Sequence, residues 1–289
     1  MDIIMGFTAA LLWGGTDFLV GLNARAVGVK RAVFFGQVLG FILMSALLAL
    51  YPIHLIKLIS APLQTWALGT IAAAFTVAGA LALSKAFALG KAVVIAPLVT
   101  SYGVFTTALA WASGDTISTS QFIGISICVV GVLLTSAHRH SEDNELKHKN
   151  KTSISYGLLA ALLYGSSFWI QGKYTLPELG AITMLWLSYT IGLIILFFLV
   201  LRTKSGLQPP SMKSCGALTS ASLLNLGGFS AFSWGAINGS VSVVTVISTL
   251  SGGIAAVLGY LFFKERLNST QTTGITLVLA GATILHLFK

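Results

Sequence analysis

The sequence predicts an all-α integral membrane protein, ten transmembrane helices arranged as two inverted five-helix repeats. Three observations predict it. The 289 residues are 55% hydrophobic and only 9% charged, with a mean hydropathy of +0.89, whereas a soluble domain carries about a quarter charged residues. A helix crosses a bilayer in about 20 apolar residues, and ten such runs use nearly the whole chain: 3–22, 31–51, 65–84, 92–111, 120–137, 154–172, 181–201, 213–235, 241–262 and 270–287. The chain also repeats itself. Residues 6–21 (GFTAALLWGGTDFLVG) return 151 positions later as 157–172 (GLLAALLYGSSFWIQG), with seven of sixteen positions identical. Residues 115–131 and 265–281 match at an offset of 150, sharing Gln121/Gln271, Gly124/Gly274 and Gly131/Gly281. Alternating access needs two related halves around one central site, so an internal repeat in an apolar chain points to a transporter.

Each span has its own signature. Span 1 begins MDIIMGF, with no basic leader and no small-residue cleavage site, and so reads as a retained helix. It holds the first copy of the repeat and Asp17, the only acidic residue well inside a run. Span 2 carries Gly36 and Gly40, a GxxxG pair for close helix packing. Span 3 ends in ALSKAFALGKAV, with Lys85 near the membrane edge. In span 4, Pro97 cannot donate to the carbonyl of Val93, and the freed acceptor needs another partner. Spans 5 and 10 share glycine pairs seven apart, Gly124/Gly131 and Gly274/Gly281. That stripe reads as scaffold or as a homodimer surface, with no site. Residues 138–153 (HRHSEDNELKHKNKTS) read as a solvated charged linker between the halves 1–137 and 154–289. The sharper alternative is a regulatory binding loop. Span 6 holds the second copy, in which Tyr164 and Phe168 are the mates of Trp13 and Asp17. Span 8 supplies Trp234, the mate of Lys85, and span 9 aligns Thr245, Ser248 and Gly252 on one face.

Five spans per half is an odd number, so the second half must run inverted relative to the first. Ten spans put both termini on one side of the membrane. Of the seventeen Lys and Arg, fourteen fall in the connections of the opposite side and three (Lys57, Lys173, Lys289) on the side of the termini. The positive-inside rule then places the termini outside. The net charge of +9 therefore describes topology, and no nucleic-acid partner is expected. Cys128 and Cys215 stand in or at the edge of spans far apart in sequence, with neither metal spacing nor a disulfide framework, and read as small buried hydrophobes.

The candidate site follows from cost. A carboxylate in hydrocarbon is expensive and marks a functional position by default. Asp17 fits two roles, counter-ion for a cationic substrate or proton carrier; the plainer alternative is a carboxylate near the surface that points to water. Lys85 could bind an anion or pair with Asp17, or snorkel to the interface. Trp13, Tyr102, Tyr164, Phe168 and Trp234, with Phe105 and Trp169 nearby, offer rings for sugars, amines or flat drugs, or simple packing. Ser101 follows Pro97 by one turn. The cavity is expected between spans 1, 3 and 4 of one half and 6, 8 and 9 of the other, lined by Trp13, Asp17, Lys85, Ser101, Tyr102, Tyr164, Phe168, Trp234 and Ser248. Pro97, Gly252 and Gly253 are the expected gating positions, since broken helices line transporter sites. The five His lie in connections or at the end of span 10, without a nucleophile or metal partner at useful spacing, and there is no P-loop lysine motif. No enzyme activity, cofactor or metal is expected.

The five-plus-five pattern, Trp13-Gly14, and the stretch 241–281 (VSVVTVISTLSGGIAAVLGYLFFKERLNSTQTTGITLVLAG) with Glu265, Gln271, Gly274 and Gly281 resemble an EamA-type member of the drug/metabolite transporter superfamily. Pro97 stands where that family commonly has a proline early in span 4. The resemblance implies a secondary transporter of a small polar or amphipathic metabolite, an exporter or exchanger, in a bacterial or archaeal plasma membrane. It leaves the substrate open among amino acids, sugars, nucleotide sugars and drugs. A facilitator for a neutral sugar, and a non-transporting scaffold or channel subunit, are the other readings. The chain departs from the pattern in two ways. Ser251-Gly252-Gly253 replaces a second proline in span 9, and relatives usually keep both termini in the cytoplasm, contrary to the charge count.

Overall fold

With no water in the bilayer core, backbone polar groups have to be satisfied within the segment, and apolar runs of this length become helices. The computed structural model describes residues 1–114, 116, 118–136, 144–202, 210–239, 241–264 and 269–287. Those residues form α1 (Asp2–Val27), α2 (Val29–Leu50), α3 (Pro52–Ser60), α4 (Leu63–Leu89), α5 (Ala92–Val99), α6 (Tyr102–Ala112) and α7 (Thr119–Ser136). After these come α8 (Asn144–Ile170), a π-helical turn Gln171–Thr175, α9 (Leu176–Leu201), α10 (Met212–Ile237), α11 (Val241–Ser248), α12 (Ser251–Phe263) and α13 (Ser269–Leu287). There is no strand among the described residues. Five stretches are long and apolar enough to cross a membrane: Ile3–Val27, Val29–Leu50, Leu63–Leu89, Ala92–Ala112 and His148–Leu201. The last, at 54 residues, is long enough for two crossings. It turns at Gly180, whose φ of 75° and ψ of 171° belong to a region only glycine occupies at low cost. Gly28 (φ 87°, ψ 147°) makes the corresponding reversal between α1 and α2.

Several expectations change in the folded chain. The connection between spans 2 and 3 is a short helix, α3, with Ile53, Ile56 and Ile59 exposed and Leu58 buried. It is tied down by the Trp66 indole donating to the Leu58 carbonyl (3.1 Å) and the Thr183 hydroxyl to the His54 carbonyl (3.2 Å). The second half of the expected linker is helical: α8 starts at Asn144 and runs unbroken into the repeat, because no Gly or Pro occurs before Gly157. Residues 138–143 and Glu265 lie outside the described residues.

Packing follows the repeat. The helix pairs α7 with α13 and α2 with α9 join equivalent elements of the two halves, α5 with α12 joins opposite parts of the equivalent spans 4 and 9, and α1 packs on α10 and α8 on α4, an exchanged pair. The repeated glycines of α1 and α8 explain themselves here. A Cβ on Gly14 would lie 2.6 Å from the Ile254 side chain on α12, and one on Gly165 would lie 2.6 Å from the Tyr102 carbonyl on α6. Ala9, Ala10, Ala160 and Ala161 are fully buried beside them. The glycine stripe of spans 5 and 10 is spent within the chain, α7 against α13. There a Cβ on Gly131 would meet the Val278 backbone nitrogen at 2.6 Å, and one on Gly281 the Cys128 nitrogen at 2.6 Å. Cys128 is buried in that seam and Cys215 is partly buried; both are free thiols.

Spans 4 and 9 are both broken. α5 gives way to α6 three residues after Pro97, where the Thr100 hydroxyl donates to the Pro97 carbonyl (2.6 Å) and the Ser101 hydroxyl to the Leu98 carbonyl (2.8 Å). α11 gives way to α12 at Thr249–Leu250 with no proline nearby; the Ser248 hydroxyl donates to the Thr245 carbonyl (2.6 Å), and Leu250 N–H reaches only three residues back, to Ile247 (3.1 Å). In each case hydroxyl side chains take up carbonyls that the helix no longer serves.

At the α1–α2 end of the bundle, the Arg25 guanidinium donates to the Phe87 and Gly90 carbonyls (both 3.0 Å) at the close of α4. The Ser153 hydroxyl of α8 donates to the Ala86 carbonyl beside them (2.9 Å). Cations at a helix C-terminus satisfy orphan carbonyls and meet the negative end of the dipole.

Candidate functional site

The cavity forms where large rings prevent helices from closing. Phe168, on α8, is the hub. It stacks on Trp13 (centroids 5.7 Å apart) and Tyr164 (6.1 Å), meets Tyr102 edge-on (5.2 Å), and lies tilted against Phe232 (4.6 Å). Phe229 adds an edge contact to Trp13 at 5.0 Å. Aromatic pairs in such geometries add about 0.5–1.5 kcal/mol each beyond the area they bury. This cluster makes a floor, and above it opens a cavity of about 890 Å³, counting its mouth.

Its lining comes from seven elements. α1 contributes Trp13, Thr16, Asp17, Val20 and Asn23; α2 contributes Ala32, Val33, Gly36 and Gln37; and α4 contributes Ala80, Leu83 and Ser84. α10 lines the opposite side with Leu218, Ala221, Ser222, Asn225 and Phe229, and Val99, Tyr102, Tyr164 and Phe168 close the base. These are the late part of α1, the early part of α2, the late part of α4 and the early part of α10, so the cavity reaches toward the α1–α2 end of the bundle.

Asp17 is the only lining residue with a formal charge. Its side chain is 7% exposed, and it makes no hydrogen bond or ion pair with any described residue. Tyr102 and Tyr164 are close enough to feel its charge. The Tyr102 hydroxyl is bound to the Ser248 hydroxyl at 2.8 Å. Ser248 spends its own proton on the Thr245 carbonyl, so Tyr102 is the donor in that pair. A buried carboxylate flanked by aromatic faces can hold a cation, or a proton, and little else in the cavity competes for it.

The sequence-predicted set divides. Trp13, Asp17, Tyr102, Tyr164 and Phe168 line one space. Ser101 and Ser248 stand behind it, buried and engaged with backbone at the two helix breaks. Lys85 points outward, exposed one residue beyond the lining Ser84, because the helix turns it to the far face of α4. Trp234 is 54% exposed, on a part of α10 beyond the lining residues. Pro97 and Gly252 meet each other: a Cβ on Gly252 would lie 2.8 Å from the Ala96 carbonyl and 2.9 Å from the Pro97 Cα, so Gly252 serves the close crossing of α5 and α12. Gly253 faces Leu279 of α13. Span 2 was not expected in the wall, and span 9 touches the cavity only through Tyr102. The polar residues missed were Thr16, Asn23, Gln37, Ser84, Ser222 and Asn225. Amides in the middle of an apolar run, such as Gln37 and Asn225, were the readable signal, since side-chain amides avoid lipid as carboxylates do.

A second, smaller cavity of about 420 Å³ adjoins the first and lies deeper in the bundle. Gln37, Ala80, Tyr164, Asn225 and Phe229 line both, and the smaller space adds Thr76, Gln171, Leu185, Ser188 and Tyr189.

Comparisons with known proteins agree with this architecture. A protein of known crystal structure superposes with a TM-score of 0.67 at 14% identity, covering 99% of this chain and 97% of that one, a likeness of fold alone. An uncharacterized protein of Methanocaldococcus jannaschii is 26% identical over 137 residues, which is 47% of this chain and 97% of the relative. That relative thus matches about half of this chain along nearly its whole length. The model of the EamA-like transporter family matches twice, over residues 1–137 and again over 151–287. With both halves matched, the chain belongs to the EamA-like transporter family.

Proposed function

We propose that this chain is a secondary transporter of a small amphipathic metabolite carrying a positive charge, working by alternating access between two inverted five-helix halves that together make ten crossings. The observation that supports it best is Asp17, a buried carboxylate with no described partner, on the wall of an aromatic-floored cavity. In this state the cavity reaches the α1–α2 end and the aromatic floor closes the other. By the charge count that end is cytoplasmic, which suits export or exchange from a bacterial or archaeal plasma membrane. Asp17 carries the substrate's counter-charge on one leg of the cycle and a proton on the other, so the two compete for one carboxylate.

Thermal unfolding of the purified protein against amino acids, polyamines, sugars and nucleotide sugars, at pH 6 and pH 8, tests this. A ligand at about 100 times its Kd adds about 2.7 kcal/mol to the folded state. Stabilisation by cations, stronger at pH 8 and lost in Asp17→Asn, is the expected result. Proteoliposome uptake driven by a pH gradient should vanish in the same variant while downhill flux survives. Gradient-driven uptake retained by Asp17→Asn would end the proton-coupled reading. A second reading, facilitated passage of a neutral sugar, draws on the amides Asn23, Gln37 and Asn225 around the cavity. Stabilisation by sugars in both wild type and Asp17→Asn would favour it, and no response to any solute would favour a scaffold.

A further inference from the structure

Two helices interlock around the smaller cavity in a way that packing alone does not require. The Tyr189 ring of α9 lies directly on Gly40 of α2, where any Cβ would collide with it. In return, the Gln37 side chain of α2 lies over Gly192 of α9, with its Oε1 2.6 Å from where a Cβ would stand. Each helix thus gives up a side chain so that the other can place a polar one deep in the interface. Gln37 is 7% exposed and Tyr189 is 4% exposed. The Gln37 Oε1 and the Tyr189 hydroxyl nevertheless have no hydrogen-bond partner among the described residues, although both line the smaller cavity. A buried polar group left unpaired costs about 1–3 kcal/mol, and an apolar pair would fill the same space without that cost. The Thr76 hydroxyl beside them is otherwise engaged. Thr76 and Ser167 bind each other at 2.7 Å, and the Gln171 amide donates to Ser167 at 2.8 Å.

We infer that the smaller cavity is a second subsite of the same transport site, taking an uncharged hydrogen-bonding group of the substrate between the Gln37 carbonyl and the Tyr189 hydroxyl. This rests on the proposed cation site at Asp17. The chemistry sets the group. Gln37 Oε1 accepts, and the Tyr189 hydroxyl both donates and accepts, so a hydroxyl or a primary amide can donate to Gln37 and accept from Tyr189, while a methyl does neither and an ammonium, a donor only, leaves the Tyr189 proton unpaired. Gln37, Asn225 and Tyr164 belong to both cavities, so an elongated molecule can span them. The substrate class is then an amine with a neutral hydroxyl or carboxamide at its far end.

The test compares ω-amino alcohols of increasing chain length with the n-alkylamines of the same length, by thermal shift and fluorescence titration of the full-length protein in detergent. At one chain length the hydroxyl should tighten binding about three- to tenfold, the worth of one or two net hydrogen bonds. In Tyr189→Phe that advantage should fall to about one, with the plain alkylamine bound as in wild type; in Gln37→Leu, whose wild-type residue also lines the larger cavity, the ratio of the two amines should likewise fall to about one. Two variants on different helices keep the outcome readable if one fails to fold. If both amines bind through Asp17 and the hydroxyl gives no advantage at any length, the subsite is wrong and the cation site stands. If neither amine binds, or Asp17→Asn binds them equally well, the cation site itself is wrong and the subsite falls with it.

Discussion

The α7–α13 seam and the cavity walls put the bundle's small and large side chains to opposite uses. Along the seam, glycines bring backbone against backbone: a Cβ at Gly131 or Gly281 would stand only 2.6 Å from a backbone nitrogen of the facing helix. Around the cavity, aromatic rings of α1, α6, α8 and α10 cluster into a floor, and polar atoms at Asp17, Gln37 and Tyr189 are left without described partners. Membrane helices gain little from burying apolar surface, since lipid is equally apolar, so close packing and polar contacts are the available adhesives. The seam uses the first to the full, and the cavity leaves the second unsatisfied. Stability concentrates in one region and binding capacity in the other.

That contrast can be broken most sharply at the seam. Gly131→Leu or Gly281→Leu should lose about 3 kcal/mol or fail to fold, because backbone cannot yield as a flexible side chain can. Gly36→Ala, facing only the Ser222 hydroxyl at 3.5 Å, should unfold with wild type; equal damage from both would refute the assignment of the seam as scaffold. Asp17→Asn should do the reverse of a seam variant. It should weaken cation binding about ten- to a hundredfold while the ligand-free protein becomes more heat-resistant, since an unpartnered buried charge is removed. A loss of ligand-free stability would mean that Asp17 holds the fold together. Smaller still is Tyr102→Phe, which deletes one hydroxyl pair and should cost about 1 kcal/mol. A double-mutant cycle with Ser248→Ala should recover most of that as coupling. Lys85→Gln should leave both binding and melting temperature unmoved, within about 0.5 kcal/mol; a changed affinity would bring Lys85 back into the site.

How far the sequence could be read depended on which physical rule a residue obeyed. Asp17, Trp13 and the repeat mates Tyr164 and Phe168 were found because cost in hydrocarbon and internal repetition are visible without coordinates. Lys85 and Trp234 were misplaced because both rest on helix phase near a membrane edge, where one residue decides between cavity and exterior, as Ser84 beside Lys85 shows. The break in span 9 carries no proline and was legible through Gly252-Gly253 and the counterpart of Pro97 in span 4. Gln37 is visible as an amide in an apolar run, but its link to Tyr189 lies in the partners both lack, which only a folded structure reveals. α3 was hidden by length, since nine residues do not register as a span.

The Arg25 and Ser153 contacts at the end of α4 bear on how the molecule moves. They join α1, α4 and α8, from both halves of the chain, through bonds to carbonyls at the close of α4. Arginine keeps its proton at any pH a protein meets, so its part of the junction does not titrate away. Three helices are thus latched together at this end of the bundle, and α2, which contributes none of the latch's bonds, is where spectroscopic labels should be placed to look for motion.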